Sequence, residues 1–366
     1  MFDISLLIAS IENFVLFGTF LALVMFAITF LMRQLTIRQS LCIQAERLAH
    51  FYTATLVIPP LVSIWLVSAA LLPRLWMSPE TFAAEHAAPL HEIHLLGVLT
   101  LAIEPALAYA MAIFVIVISA FVVWSNLRGT WRVGRVIRLL DMKASAPPTD
   151  QLALVNEIAN RFGLSVGLVM SDYPLSFVWG FRRSKLVLSS GLLRTLTPVE
   201  LAGVLEHEAA HHTRRDNMIK LLLSLCSYSS LAFPLSRLIV DWRATEVELI
   251  CDEVAAARTS EPLEIAEALV KLRRQTLSAP IVPEPVATQA IASSFVSDSA
   301  RTLQRRVDRL LALVDAPPVQ SGYEPRSFAA GAFLLLTSSV VALSIILLFA
   351  PLSVHHAAEN LIGIFK

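Results

Sequence analysis

The chain has 366 residues, 56% of them hydrophobic and only 16% charged, with 29 basic and 29 acidic side chains in balance. Soluble domains average about 25% charged residues, so this composition excludes a disordered chain and points to a membrane protein. A net charge of zero gives no overall basic field, so no direct nucleic-acid binding is expected.

A helix needs about 20 apolar residues to cross a bilayer. The first such run, 14–31, is uncharged, and the stretch before it carries Asp3 and Glu12 rather than the positive charge of a signal peptide. The second, 51–72, contains Pro59 and Pro60 and is expected to kink there. The third is uncharged over 106–124, with a start as early as residue 95 that places Glu104 near the outer interface. The fourth, 328–350, is uncharged throughout. Basic residues mark the cytoplasmic ends of such spans. Arg33, Arg38 and Arg47 follow the first span, and Arg128, Arg132, Arg135, Arg138 and Lys143 follow the third. The loop 73–94 holds Arg74 against Glu80, Glu85 and Glu92. Both termini and 73–94 are therefore expected outside, with 32–50 and 125–327 in the cytoplasm. The expected plan is a mainly α membrane protein: an N-terminal membrane domain (1–124, spans 14–31, 51–72 and 95–124), a cytoplasmic domain (125–327), a fourth span (328–350) and a short outer tail (351–366).

The cytoplasmic stretch is long enough for its own core. After an Ala/Ser/Pro linker at 144–148, a helix is expected over 151–162, capped by Thr149 or Asp150 and ended by Gly163. Short strands follow at 165–171 and 185–190, with a turn-rich piece around Pro174 and Gly180. Thr197, Pro198 and Glu200 form a capping-box start for the next helix. Further helices are expected over 217–240, 241–258, 263–275 and 300–313, with 276–298 a mobile Ser/Ala/Pro loop. Helix, small sheet, then helices make an α+β arrangement.

The chemistry lies in Glu206-His207-Glu208-Ala209-Ala210-His211. His207 and His211 are four apart, so both imidazoles share a helix face and suit one zinc ion, with Glu208 placed to take a proton from a metal-bound water. With nine histidines in the chain, chance yields this pattern in about one such sequence in a hundred. A catalytic zinc site needs a third protein ligand and an open position. Glu248 and Asp252 are again four apart on a predicted helix. Glu248 is the expected third ligand, with Glu246 as the other candidate, and Asp252 is expected to hold the far nitrogen of a ligating histidine. The competing reading makes these acids surface partners of Arg214, Arg215 or Arg243. Asp216 is read as a structural acid with an outer role toward the zinc helix. Cys251 is assigned to the core and His212 to the solvent. His86, His91, His94, His355 and His356 fall on the outer side.

These motifs resemble the gluzincin peptidase domain of membrane-bound β-lactam-signalling receptors of the BlaR/MecR type. The resemblance is carried by His207, Glu208, His211, Arg214 and Asp216, then Glu248, Cys251 and Asp252, with supporting likeness over 174–181, 185–193 and 233–235. It implies a zincin-like domain between the third and fourth spans of a bacterial inner-membrane protein, with Zn2+ as cofactor. The implied activity is regulatory endopeptidase action on a cytoplasmic transcriptional repressor, with self-cleavage in the 276–298 loop. A homodimer is left open. Receptors of this type continue into a large penicillin-binding sensor, whereas only 16 residues without an SxxK serine follow the fourth span here, so covalent β-lactam sensing is not expected.

Three other readings stay open: a quality-control protease like the HtpX-type membrane metallopeptidases, a non-catalytic scaffold stabilised by zinc, and intramembrane proteolysis. The last is disfavoured by the charged residues flanking the motif and by the 16-residue length of the uncharged run 221–236, which is expected in the core or against the membrane surface. A substrate backbone is expected to pair with an edge strand at 185–190.

Overall fold

The computed structural model describes residues 4–38, 45–71, 92–95, 99–102, 105–141, 149–180, 184–278, 293–294 and 300–314. Two helices come first, α1 (Ile4–Arg38) and α2 (Ala45–Leu71). Within them Asn13–Leu35 and Ala45–Ser68 are long and apolar enough to cross a membrane. They pack side by side, joined at Thr29 and Thr55 by a buried hydroxyl–hydroxyl hydrogen bond of 2.9 Å. Polar groups that must be buried among apolar helices find partners in each other or in backbone carbonyls.

The third expected span begins later than its earliest proposed start. Residues 92–95 and 99–102 form an antiparallel pair, β1 (Glu92–Leu95) and β2 (Leu99–Ala102). The helix α3 (Pro105–Asp141) starts at a proline, whose fixed φ and missing N–H suit a first helical turn. Its apolar stretch is Ile113–Gly129, with Ile113, Phe114, Val117 and Phe121 exposed. The fourth span, the outer tail, the linker at 144–148 and most of the 73–94 loop lie outside the described residues.

The domain that follows begins with α4 (Thr149–Arg161), so Thr149 and Asp150 are inside the helix rather than capping it. Gly163, at φ +66°, turns the chain into β3 (Ser165–Val169). Then come β4 (Ser176–Trp179), β5 (Lys185–Ser189), the short α5 (Ser190–Thr195), α6 (Pro198–Thr213), α7 (Asp216–Tyr228), α8 (Phe233–Thr259), α9 (Pro262–Ser278), β6 (Ser293–Ser294) and α10 (Ala300–Val314). The sheet order is β3-β5-β4-β6, with β3 and β5 parallel and the other pairs antiparallel. The piece expected as a turn around Pro174–Gly180 thus contains a strand. β5, expected at an edge, is interior, because β3 and β4 occupy both of its sides. β4 lies next to α6, and its side away from β5 is paired with β6 over two residues.

Between the sheet and the helices lies one core built from Leu186, Leu188, Leu192, Leu201, Val204, Leu205, Ile265, Leu269 and Leu310. The expected helices 217–240 and 241–258 are divided differently. The chain breaks at 229–232, and α8 runs unbroken from Phe233 through Arg258. This break is set by tertiary contact: the Leu231 N–H donates to Thr19 Oγ1 of α1 at 3.0 Å, and Ser119 Oγ of α3 donates to the Tyr228 carbonyl at 3.0 Å. The α7–α8 hairpin is therefore packed against the membrane-type helices.

Candidate metal centre

α6 carries the two histidines. Its start is held by the expected capping box: the Glu200 N–H donates to Thr197 Oγ1, and the Thr197 N–H donates to Glu200 Oε2. Nearly the whole helix is buried, including Glu206, His207, Glu208 and His211. It ends at Arg214, and Arg215 adopts a left-handed conformation at φ 56°. A non-glycine residue there costs on the order of 1 kcal/mol. The sharp turn brings Asp216 back beneath His211.

Glu248 arrives from α8, which packs along α6. His207 Nε2 and His211 Nε2 are 3.2 Å apart. Glu248 Oε2 lies 3.3 Å from His207 Nε2, and Oε1 lies 3.4 Å from His211 Nε2. Ligand atoms at about 2.0–2.1 Å from a tetrahedral zinc stand about 3.3–3.4 Å from one another. The two imidazole nitrogens and the Glu248 carboxylate converge, with one ligand atom from each within 4.8 Å of the others, and this His–His–Glu donor set fits zinc. Glu246 is not among them; it is buried and paired with Arg305 of α10 at 3.1 Å.

The remaining ring nitrogens are held from behind. His207 Nδ1 is 2.9 Å from Asp252 Oδ1, and His211 Nδ1 is 2.9 Å from Asp216 Oδ2. Each carboxylate orients an imidazole so that Nε2 points to the shared centre. Asp216 is itself flanked by Arg214 at 3.6 Å and Arg243 at 3.7 Å. Burial pushes its carboxyl up, but His211 and the two arginines bring it down to about 2. Cys251 is buried in the core with Ala210 and Val247, as expected, and its Sγ also lies 3.5 Å from His211 Nδ1. His212, expected in solvent, is half-buried. The expected outer histidines are outside the described side chains.

Two contributors were not legible in the motif. Arg306 of α10 is fully buried and grips Asp252 through Nε at 2.7 Å and Nη2 at 2.8 Å, while its Nη1 lies 3.3 Å from Glu248 Oε2. Ser176, at the start of β4, is buried beside Glu208 and favours that carboxylate's charged form. A basic residue at helical spacing on the last amphipathic helix was the one signal that could have suggested Arg306.

Glu208 sits next to the histidine pair, fully buried, and neither of its oxygens completes a hydrogen bond among the described residues. Burial raises its carboxyl above the ordinary range, against the opposing pull of His207 and His211. A carboxylate with unspent acceptor capacity and a raised pKa is suited to receive a proton near neutral pH.

Residues 153–275 match the model of Peptidase family M48. This segment is similar to M48 peptidases. This segment contains His207, Glu208, His211, Asp216, Glu248 and Asp252, and it stops short of α10 and Arg306. Among similar proteins, "Protease HtpX homolog" of Methanopyrus kandleri is 25% identical over 219 residues, covering 49% of this chain and 65% of that protein. "Protease HtpX homolog" of Archaeoglobus fulgidus is 33% identical over 92 residues, covering 24% and 28%. "Protease HtpX" of Legionella pneumophila (strain Corby) is 36% identical over 74 residues, covering 19% and 26%. The chain spans less than two thirds of the length of each of these three. They agree with the HtpX-type alternative at least as well as with the signalling reading, and the BlaR/MecR likeness rests on the sequence motifs alone.

Proposed function

We propose that the protein is a zinc-dependent membrane endopeptidase whose site faces the cytoplasm. The observation that carries this reading is the three-cornered arrangement of His207, His211 and Glu248 with an unpartnered, buried Glu208 beside it. A purely structural metal site has no use for such a carboxylate. Zinc held by these three residues supplies Lewis acidity toward a scissile carbonyl and toward water. Glu208 takes the proton of the attacking water and later returns it to the departing amine. Asp252 and Asp216 keep the histidine tautomers fixed throughout.

A peptide substrate has a strand to pair with. β4 runs beside α6, tied to the hairpin by the Asn217 amide, which donates to the Val178 carbonyl at 3.0 Å. Its outer side already accepts an extended segment of this chain, with Phe177 opposite Ser294 and Val178 opposite Ser293. Backbone pairing of this kind binds extended chains with little regard to their side chains. Ser293 and Ser294 fall within the stretch expected to be cut, and their pairing with β4 supports self-cleavage.

Two substrate classes follow. One is a cytoplasmic repressor-like regulator, as the BlaR/MecR resemblance implies; the other is damaged membrane protein, favoured by the HtpX-named relatives. The test compares cells producing the wild-type chain with cells producing Glu208→Ala and catalogues new protein N-termini by mass spectrometry. A few termini in one regulator, absent from the mutant, establish the signalling role. Termini across unrelated membrane proteins establish quality control. Identical catalogues, with zinc bound in both proteins, refute the endopeptidase reading in favour of a zinc-stabilised scaffold.

A further inference from the structure

The metal-bearing helices rest on α2, and at one point the contact is polar. Thr53 of α2 is 1% exposed. Its hydroxyl donates to the Ala49 carbonyl at 2.7 Å and accepts the Nε–H of Arg243 at 2.8 Å. Arg243 rises from the middle of α8 and is itself buried. At its other end Nη2 lies 3.7 Å from Asp216 Oδ1, and Asp216 Oδ2 lies 2.9 Å from His211 Nδ1. Two hydrogen bonds and one 3.7 Å ion pair thus connect four side chains from an apolar, membrane-length helix to a metal-facing imidazole. The packing around the line is tight and apolar: Ala49 of α2 touches the cluster of Ala210, Val247, Ile250, Cys251 and Val254. Interiors packed this way shift as discrete units rather than bending continuously, so a displaced helix moves the groups bonded to it. The guanidinium needs several acceptors once buried, and Thr53 provides one that a valine of the same shape would not.

We propose that Thr53 and Arg243 are positioning residues through which the α2 membrane helix sets the orientation of His211, so that movement of α2 changes metal affinity and thereby the peptidase. This rests on the zinc reading above. Arg214 lies 3.6 Å from Asp216 Oδ2, so Asp216 keeps a cationic neighbour when Arg243 is lost.

The test uses the full chain in detergent with Thr53→Val, Thr53→Ser, Arg243→Met and the Thr53→Val/Arg243→Met double variant. Zinc affinity is measured by competition with a chromogenic chelator, and the ligand field by the visible absorption of the Co2+-loaded protein. Loss of a group that orients a ligand costs about 10–100-fold in metal affinity. Arg243→Met is expected within that range and Thr53→Val at its lower end, about tenfold. Both are expected to alter the Co2+ spectrum, with Thr53→Ser behaving as wild type. The double variant is expected to be no weaker than Arg243→Met alone, because the two residues act in series. A Thr53→Val chain with wild-type zinc affinity and Co2+ spectrum overturns the coupling, as do losses that simply add. If Thr53→Val does not fold, Thr53→Ala against Thr53→Ser decides the same question. A wild-type chain that binds no zinc overturns the underlying metal reading, which separates the two failures.

Discussion

Arg306→Met isolates the grip that α10 exerts on the metal centre. Methionine keeps most of the apolar stem and removes the guanidinium. Asp252 then loses two charge-assisted hydrogen bonds, at 2.7 and 2.8 Å, and Glu248 loses its cation at 3.3 Å. Breaking a buried ion pair from one side costs about 3–5 kcal/mol, because the remaining charge stays desolvated. For a domain of this size that is on the order of a 10 °C fall in thermal midpoint. The metal site suffers as well. Burial pushes the Asp252 carboxyl up, and Arg306, followed by His207, holds it below the usual range. Without the arginine the carboxyl rises, and its hold on His207 Nδ1 weakens. Zinc affinity is expected to fall by about 10–100-fold. Thermal unfolding of the purified chain with and without zinc, together with chelator competition, measures both effects. Arg306→Lys keeps the charge but loses the planar fork, so it should fall between wild type and Arg306→Met. An Arg306→Met chain that melts and binds zinc like the wild type would refute the reasoning.

Other outcomes follow from the same geometry. Asp216, with its carboxyl at about 2, contributes stability that is fully present above the unfolded value near 3.9 and disappears as pH falls through the folded one; this amounts to about 2 kcal/mol. Melting curves of wild type and Asp216→Asn should therefore differ at pH 6 and converge toward pH 2, and a constant gap would contradict the assignment. Gly191→Ala drives a Cβ into the Asp172 carbonyl oxygen, so the backbone must shift. Overpacking of this kind costs about 1–3 kcal/mol, read as a lower melting point with zinc affinity unchanged. Treatment with 1,10-phenanthroline should abolish cleavage and added zinc restore it; activity that survives full metal removal would rule out the zinc mechanism.

How much of this was legible in the sequence depends on the distance over which each feature is decided. The capping box at Thr197 and Glu200 involves residues three apart, and the pairing of His207 with His211 follows from a single helical turn. Glu248 and Asp252 repeat that turn further along, which is why a third ligand and its supporting acid could be named before any fold was known. Their placement against the histidines, with the Glu248 oxygens 3.3 and 3.4 Å from the two ring nitrogens, required α8 to lie along α6.

Other features had no local signature. The run from Leu221 onward reads as one continuous apolar helix, yet it breaks at 229–232, where backbone and side-chain groups bond to α1 and α3. β5 has the composition of an edge or an interior strand equally well, and only its pairing with both β3 and β4 makes it interior. Arg306 lies 54 residues from the aspartate it grips, in a helix whose charge pattern resembles any solvated amphipathic face. Helical periodicity is written into neighbouring residues and so determined the candidate metal-binding motif, its proposed base and the apolar helices. The arginine behind the candidate ligands, the strand beside α6 and the link from α2 to His211 depend on which distant surfaces exclude water from one another, and only the tertiary structure decided them.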